Sequence, residues 1–431
     1  MRSARARLRR ERAAWALLCA LATPMAAHVH AQRAPIPEWV QSAEVLRAEL
    51  TVFSAPDDTA PRRGALIRGA RLPVLSRVEG NGCGDRHFVQ LAPLAFVCER
   101  DLRLTAEPPF PIAPLPGAAS NESDLPYEYL QAVHDGTRAY ASLSDYATDE
   151  YAAAFGKGFA VAVAERVRDR GVAFVRTRAG YYVRQADLRP VRPSRFRGVE
   201  LGELALDQIG WVIEDGAVIA ADPAHGGAPS RAARLQAIRV AAERDGRLQL
   251  EGGGSIDARA VVRPELREPP AGVAPGERWI DVDLTRQVLV AYAGDKPVFA
   301  TVISSGRDQP KTRTPLGEFR IWVKLRSSDM RESDVPAFEQ SYAVEQVPWV
   351  QYFKDGYGLH AAFWHDRFGE KRSRGCINLS PHDARWLFEF TGPELPAGWL
   401  AARAVDGVPG TRIVVRKSPR AAAGGAYAAR P

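Results

Sequence analysis

The sequence predicts a mainly β protein, with small β units in series followed by a denser β domain that carries one short helix. Three observations lead there. Helical periodicity is scarce from the N-terminal segment to about residue 266, where short β-branched and aromatic runs are bounded by Gly, Asp and Pro. Two Pro-rich stretches, "EPPFPIAPLPGA" from Glu107 and "REPPAGVAPGE" from Arg267, suit neither a helix nor a central strand and read as linkers. From Glu277 onward, "RWIDVDLTRQVLVAYAGDKPVFATVISSG" alternates apolar and polar residues around a Gly294-Asp295 turn, the pattern of a hairpin or meander.

A chain of 431 residues is long for one ordinary domain. Its formal charge of +7 is concentrated at the start, where Arg2, Arg5, Arg7, Arg9, Arg10 and Arg12 face only Glu11. The remainder is close to neutral, which argues against nucleic acid as a partner. The arginines precede the apolar run "AAWALLCALATPMAA" and small residues Val29 and Ala31. That is the plan of a secretory signal over residues 1–31. The run is too short, and too interrupted by Thr23 and Pro24, for a membrane helix. The mature protein is therefore expected in the periplasm or cell envelope, with no transmembrane segment.

Export makes disulfides available. Cys83 and Cys98 flank "GDRHFVQLAPLAFV", a short strand pair, and are expected to bridge locally. Cys376 is then left over, and a free thiol in an oxidising compartment needs an explanation. No second cysteine or close histidine pair has zinc-ligand spacing with it, so neither metal nor cofactor is expected.

Three segments share a turn-rich start, a strand–charged turn–strand middle and a closing strand: about residues 44–106, 124–192 and, more weakly, 195–266. They resemble bacterial SH3-like modules, which implies small barrels arranged as beads and able to bind the cell wall. In the last third, "GEFRIWVKL" reads as one strand. "SPHDARWLFEFTG" reads as a short helix, with Ser380 as N-cap, Pro381 in the first turn, Asp383 on the N-terminal dipole and Gly392 as stop. "GTRIVVR" closes the domain, and residues 417–431 are expected to be a disordered tail.

Cys376 lies in "SRGCINLS", just after a glycine, beside Arg372 and Arg374, and shortly before the helix. Cations and a helix N-terminus favour thiolate, the nucleophilic form. Gly375 permits a tight turn that exposes sulfur and directs backbone N–H groups at a reacting oxygen. His360, 16 residues upstream in "GYGLHAAFWHDRFG", is the candidate base. Trp364 and Tyr352 are candidate cleft walls, while His365 and His382 read as exposed and non-catalytic. Ser304, Ser305 and Gly306 read as a strand-end turn.

"LHAAFWHDRFGEKRSRGCINLSPHDARWLF", with the upstream "ATVISSGRDQPKTRTPLGEFRIW", resembles the catalytic domain of L,D-transpeptidases, the YkuD family, over residues 277–416. The family pattern falls on Thr314, Pro315 and Gly317, on His360, and on Ser373, Gly375, Cys376 and Asn378. Two positions depart from it. Ala361 stands where glycine usually follows the first histidine, and Arg374 replaces the second histidine, leaving His360 as the sole base. The resemblance implies a β-sandwich-like fold with cysteine in a cleft and peptidoglycan stem peptides as substrate. It implies attack by Cys376, loop and oxyanion support from Gly375, Ser373, Arg374 and Asn378, and a thioester resolved by an amine. The same site with water would be an L,D-carboxypeptidase, and a wall-binding protein without turnover is the non-enzymatic alternative. A papain-like hydrolase usually places its cysteine before its histidine, the reverse of this order.

Overall fold

The computed structural model describes residues 33–84, 87–110, 124–222, 228–331 and 343–419. The expected signal segment and the end of the expected tail lie outside the described residues. Among those described, no helix is long and apolar enough to cross a membrane.

The C-terminal domain comprises, in chain order, β1 (Arg278–Asp283), β2 (Val288–Ala293), β3 (Lys296–Val302), β4 (Gly317–Arg320), β5 (Val323–Arg331), β6 (Ala343–Lys354), β7 (Tyr357–Ala361), β8 (Ile377–Leu379), α1 (Pro381–Phe390), β9 (Trp399–Arg403) and β10 (Arg412–Arg416). One sheet runs β3-β2-β1-β10-β4, with β10 parallel to β1 and the other pairs antiparallel. The second runs β9-β5-β6-β7-β8 and ends in a parallel pair. Between the sheets and α1 sits one apolar core: Ile280, Val282, Leu289 and Ala291 from the first sheet, Leu359, Ile377 and Leu379 from the second, and Ala384 and Leu387 from α1.

Local chemistry accounts for most of these elements. The β2–β3 turn falls on Gly294 and Asp295, and Gly294 takes a φ of +63° that favours glycine. Helix α1 is capped as expected: the Ser380 hydroxyl accepts from Asp383 N at 3.2 Å, and Pro381 opens the first turn. Its C-terminal end meets a buried cation, Lys324, whose ammonium donates to the carbonyls of Phe388 and Thr391. Burial lowers the Lys324 pKa to about 7.

The expected single strand "GEFRIWVKL" is two. The chain leaves the first sheet after β4 and enters the second at β5, with Ile321 N bonded to Thr411 O and Trp322 N to Tyr352 O, each at 2.9 Å. A continuous strand-like pattern cannot reveal such a crossing, because both halves are strand.

The N-terminal units are β-rich, and each closes with the same device: strand, one 3-10 turn, strand. The turns are Glu99–Asp101, Gln185–Asp187 and Ala258–Ala260. A short helix, Leu143–Thr148, was missed, although Ser142 and Asp145 form a reciprocal capping box that the sequence displays. Nor are the units beads. Strand Arg62–Ile67 of the first pairs with β9, where Gly64 lets the backbones close: a Cβ there would fall 2.3 Å from Ala401 O. Tyr127 and Tyr129 of the second unit share a core with Val347, Val350 and Phe363. The third adds Val199–Glu200 to β3 and buries Leu201, Ile209 and Trp211 against Trp279, Tyr292 and Phe368. Both faces of the first sheet are thereby covered, which explains why β1 and β2 are buried almost throughout, Asp281 and Asp283 included.

Lys417 and Ser418, within the expected tail, are held against the domain. Ser418 is buried, its carbonyl accepts from Thr285 Oγ1 at 2.9 Å, and Lys417 lies 3.7 Å from Asp308.

Candidate active site

The parallel β7–β8 pair sets the geometry. Leu359 is opposite Ile377, His360 opposite Asn378 and Ala361 opposite Leu379. Leu359, Ala361, Ile377 and Leu379 enter the core. By alternation, His360 and Asn378 occupy the other face, together with Gly358 and Cys376 one step earlier. Cys376 and His360 thus lie on the same face of adjacent strands, one step out of register.

His360 is 2% exposed. Its Nδ1 lies 3.1 Å from Ala361 O, so Nδ1–H donates there and Nε2 keeps its lone pair. Burial lowers its pKa to about 4, leaving a neutral imidazole at neutral pH. Trp364 stacks on the ring, with centroids 5.9 Å apart. The Cys376 thiol is half-buried and lies 3.7 Å from Gly356 O. Burial pushes its pKa up, partly offset by a hydrogen bond with the Gly358 backbone. The resting pair is therefore thiol and neutral imidazole.

The cysteine loop is braced on every side. Gly375 has φ +124°, and a Cβ there would fall 2.3 Å from the Tyr357 ring, so only glycine fits. The Ser373 hydroxyl donates to Cys376 O at 2.5 Å and accepts from Gly375 N at 3.0 Å. This corrects one expected role: the Gly375 N–H is already given to Ser373 and is not a free oxyanion donor. Buried Thr314 donates through Oγ1 to Gly375 O at 2.8 Å and accepts from Gly306 N at 2.9 Å. Arg374 is exposed beside this turn. Ser304, Ser305 and Gly306 are no mere turn: Ser304 bridges Asn378 in both directions, Ser305 O accepts from Arg372 N and Ser373 N, and Gly306 bridges Ser373.

Tyr352 lies opposite Gly358, its ring 3.0 Å from where a Gly358 Cβ would sit, next to the cysteine, and it also stacks on Trp322 at 6.2 Å. Asn378 is buried, with Nδ2 3.1 Å from His365 Nε2. The expectation of an exposed His365 fails. It is half-buried against Phe368, and burial, with Arg372 and His360 nearby, lowers its pKa to about 4. Its spacing in the sequence carried no sign of this, because the contact is made across strands. His382 instead contacts Asp124 at 2.9 Å, far along the chain. Cys83 and Cys98 are bonded, with Cα atoms 5.5 Å apart, and Cys376 is the free cysteine among the described residues. Among those residues, no cluster of ligating side chains suits a metal.

The two-sheet domain thus brings a cysteine and a histidine to the ends of adjacent parallel strands. Residues 277–415 match the YkuD family, the L,D-transpeptidase catalytic domain, and the C-terminal region carries that domain. The putative L,D-transpeptidase YciB of Bacillus subtilis (strain 168) is 28% identical over 123 residues, covering 26% of this chain and 59% of the relative. The chain thus spans about three-fifths of that relative's length. Among solved structures, a mutant Enterococcus faecium L,D-transpeptidase is 25% identical over 32% of this chain and 50% of its own, with a TM-score of 0.25. An L,D-transpeptidase from Mycobacterium tuberculosis is 18% identical over 43% of this chain and 73% of its own, also with a TM-score of 0.25.

Proposed function

We propose that this protein is an exported peptidoglycan L,D-transpeptidase that works through an acyl-enzyme on Cys376. The observation that carries the reading is the placement of Cys376 two residues before Asn378, the strand partner of a buried His360 whose Nδ1–H is committed to Ala361 O, leaving Nε2 to receive the thiol proton. When a stem peptide enters, Nε2 takes that proton and sulfur attacks the scissile carbonyl carbon. The Cys376 N–H is the donor the loop leaves for the developing oxyanion. Collapse breaks the C–N bond, His360 returns its proton to the leaving terminal D-amino acid, and the acyl group stays on sulfur. An amine of a second stem then displaces sulfur and forms the cross-link. Ser373, Gly375 and Thr314 hold the loop, Asn378 holds β8 against Ser304, and Trp364 and Tyr352 wall the face. The three N-terminal units, read as SH3-like, place this site against the wall.

The test is mass spectrometry of muropeptides after incubation with the purified protein. New cross-links between stems, formed with loss of the donor's terminal D-amino acid, support transpeptidation. Shortened stems alone would replace it with carboxypeptidase activity, and unchanged stems would refute both.

A further inference from the structure

Two loops form the edge of the site around Gly375. In residues 306–314, Gly306 bridges Ser373, Arg307 N donates to Ser373 O at 3.2 Å, and Thr314 Oγ1 holds Gly375 O at 2.8 Å. A Cβ on Gly306 would fall 2.8 Å from Gly375 Cα, so the loops touch at backbone distance. Both are basic and carry their cations outward: Arg307, Lys311 and Arg313 on one, Arg372 and Arg374 on the other.

Among the described residues, the acids on these loops, Asp308 and Glu370, are already engaged. Asp308 pairs with Lys371 at 2.6 Å and Lys417 at 3.7 Å. Glu370 pairs with Arg367 at 2.6 Å, Arg372 at 3.3 Å and Arg234 at 3.5 Å. Among the described residues, Arg307, Lys311 and Arg313 enter no ion pair. Three cations on one short loop repel each other unless an anion joins them, and guanidinium groups are well shaped to grip a carboxylate.

We propose that Arg307, Lys311 and Arg313 form an anion subsite beside the cysteine loop that receives a free carboxylate of the peptide substrate. This rests on reading Cys376 as the nucleophile. The subsite selects substrate by charge: it favours a peptide ending in a carboxylate over the same peptide amidated, and it draws anions toward the thiol.

The full chain tests this without any peptidoglycan. Cys376 is alkylated with iodoacetate, an anion, and with neutral iodoacetamide, and the ratio of the two rates is taken by peptide mapping. Taking the ratio cancels any change in thiol reactivity. The wild-type ratio should exceed that of the Arg307→Gln/Lys311→Gln/Arg313→Gln variant by about tenfold at low salt and converge with it at high salt. An equal ratio in both proteins overturns the subsite, even if peptide acylation proceeds. A second arm compares kcat/KM for a stem peptide bearing a terminal carboxylate with that for its amide. Loss of the carboxylate preference in the variant supports the subsite, and a retained preference overturns it. If the alkylation ratio falls as expected while no peptide acylates any protein, the anion site stands and the transpeptidase reading fails.

Discussion

Replacing Thr314 by Val tests whether the cysteine loop is held by the hydrogen bonds that define it. The substitution nearly conserves volume, so no cavity forms. It removes a hydroxyl that donates to Gly375 O at 2.8 Å and accepts from Gly306 N at 2.9 Å, at a residue only 4% exposed. Each orphaned buried backbone group costs about 1–3 kcal/mol, and partial access to water at the site edge brings the pair to about 2–4 kcal/mol. If about 1.4 kcal/mol of that falls on the geometry needed for attack, acylation slows about tenfold. Equilibrium urea unfolding measures the first quantity, and the rate of carbapenem acylation by intact mass measures the second. Wild-type stability together with a wild-type acylation rate would refute the view that this threonine joins the two loops.

Three further outcomes follow from the charges. His360, with a pKa near 4, stays neutral where an ordinary histidine would protonate, so acylation should hold a plateau from about pH 5 to 8; a fall centred near pH 6.5 would contradict it. Lys324 has a folded-state pKa lowered from 10.5 to about 7, so the unfolded chain binds the extra proton between those values. Stability gains up to about 1.4 kcal/mol per pH unit as pH rises through that window and is flat below it, and Lys324→Met should abolish the slope in pH-dependent urea unfolding. Arg234 of the third unit donates to Phe368 O at 2.6 Å, in the segment between His365 and Cys376. Arg234→Met should therefore slow acylation while leaving the second unit's hydrogen-exchange protection unchanged.

Much of the C-terminal domain was legible because its signals are local. The Gly294-Asp295 turn, the Ser380 cap and the meander of β1 to β3 depend on near neighbours and survive intact in the structure. That His360 and Cys376 sit on adjacent segments was legible from their spacing and motif order. What the sequence concealed is non-local. The split of "GEFRIWVKL" follows from which sheet each half joins, and the contact of His365 with Asn378 from a β8 strand that approaches only in the fold. The units were read as beads because their packing on the catalytic domain uses ordinary apolar residues such as Leu201 and Trp399, which look the same whether they face their own unit or a neighbour. The free Gly375 N–H expected from the glycine was lost to the Ser373 hydroxyl, two residues away.

The most direct test of the whole account is the intact mass of the protein after brief exposure to a stem tetrapeptide, with the adduct located by peptide mapping. The account predicts a tripeptide acyl group on Cys376 in the wild type, and none in Cys376→Ala or His360→Ala. An adduct on any other residue, or undiminished acylation of Cys376 in His360→Ala, would contradict it.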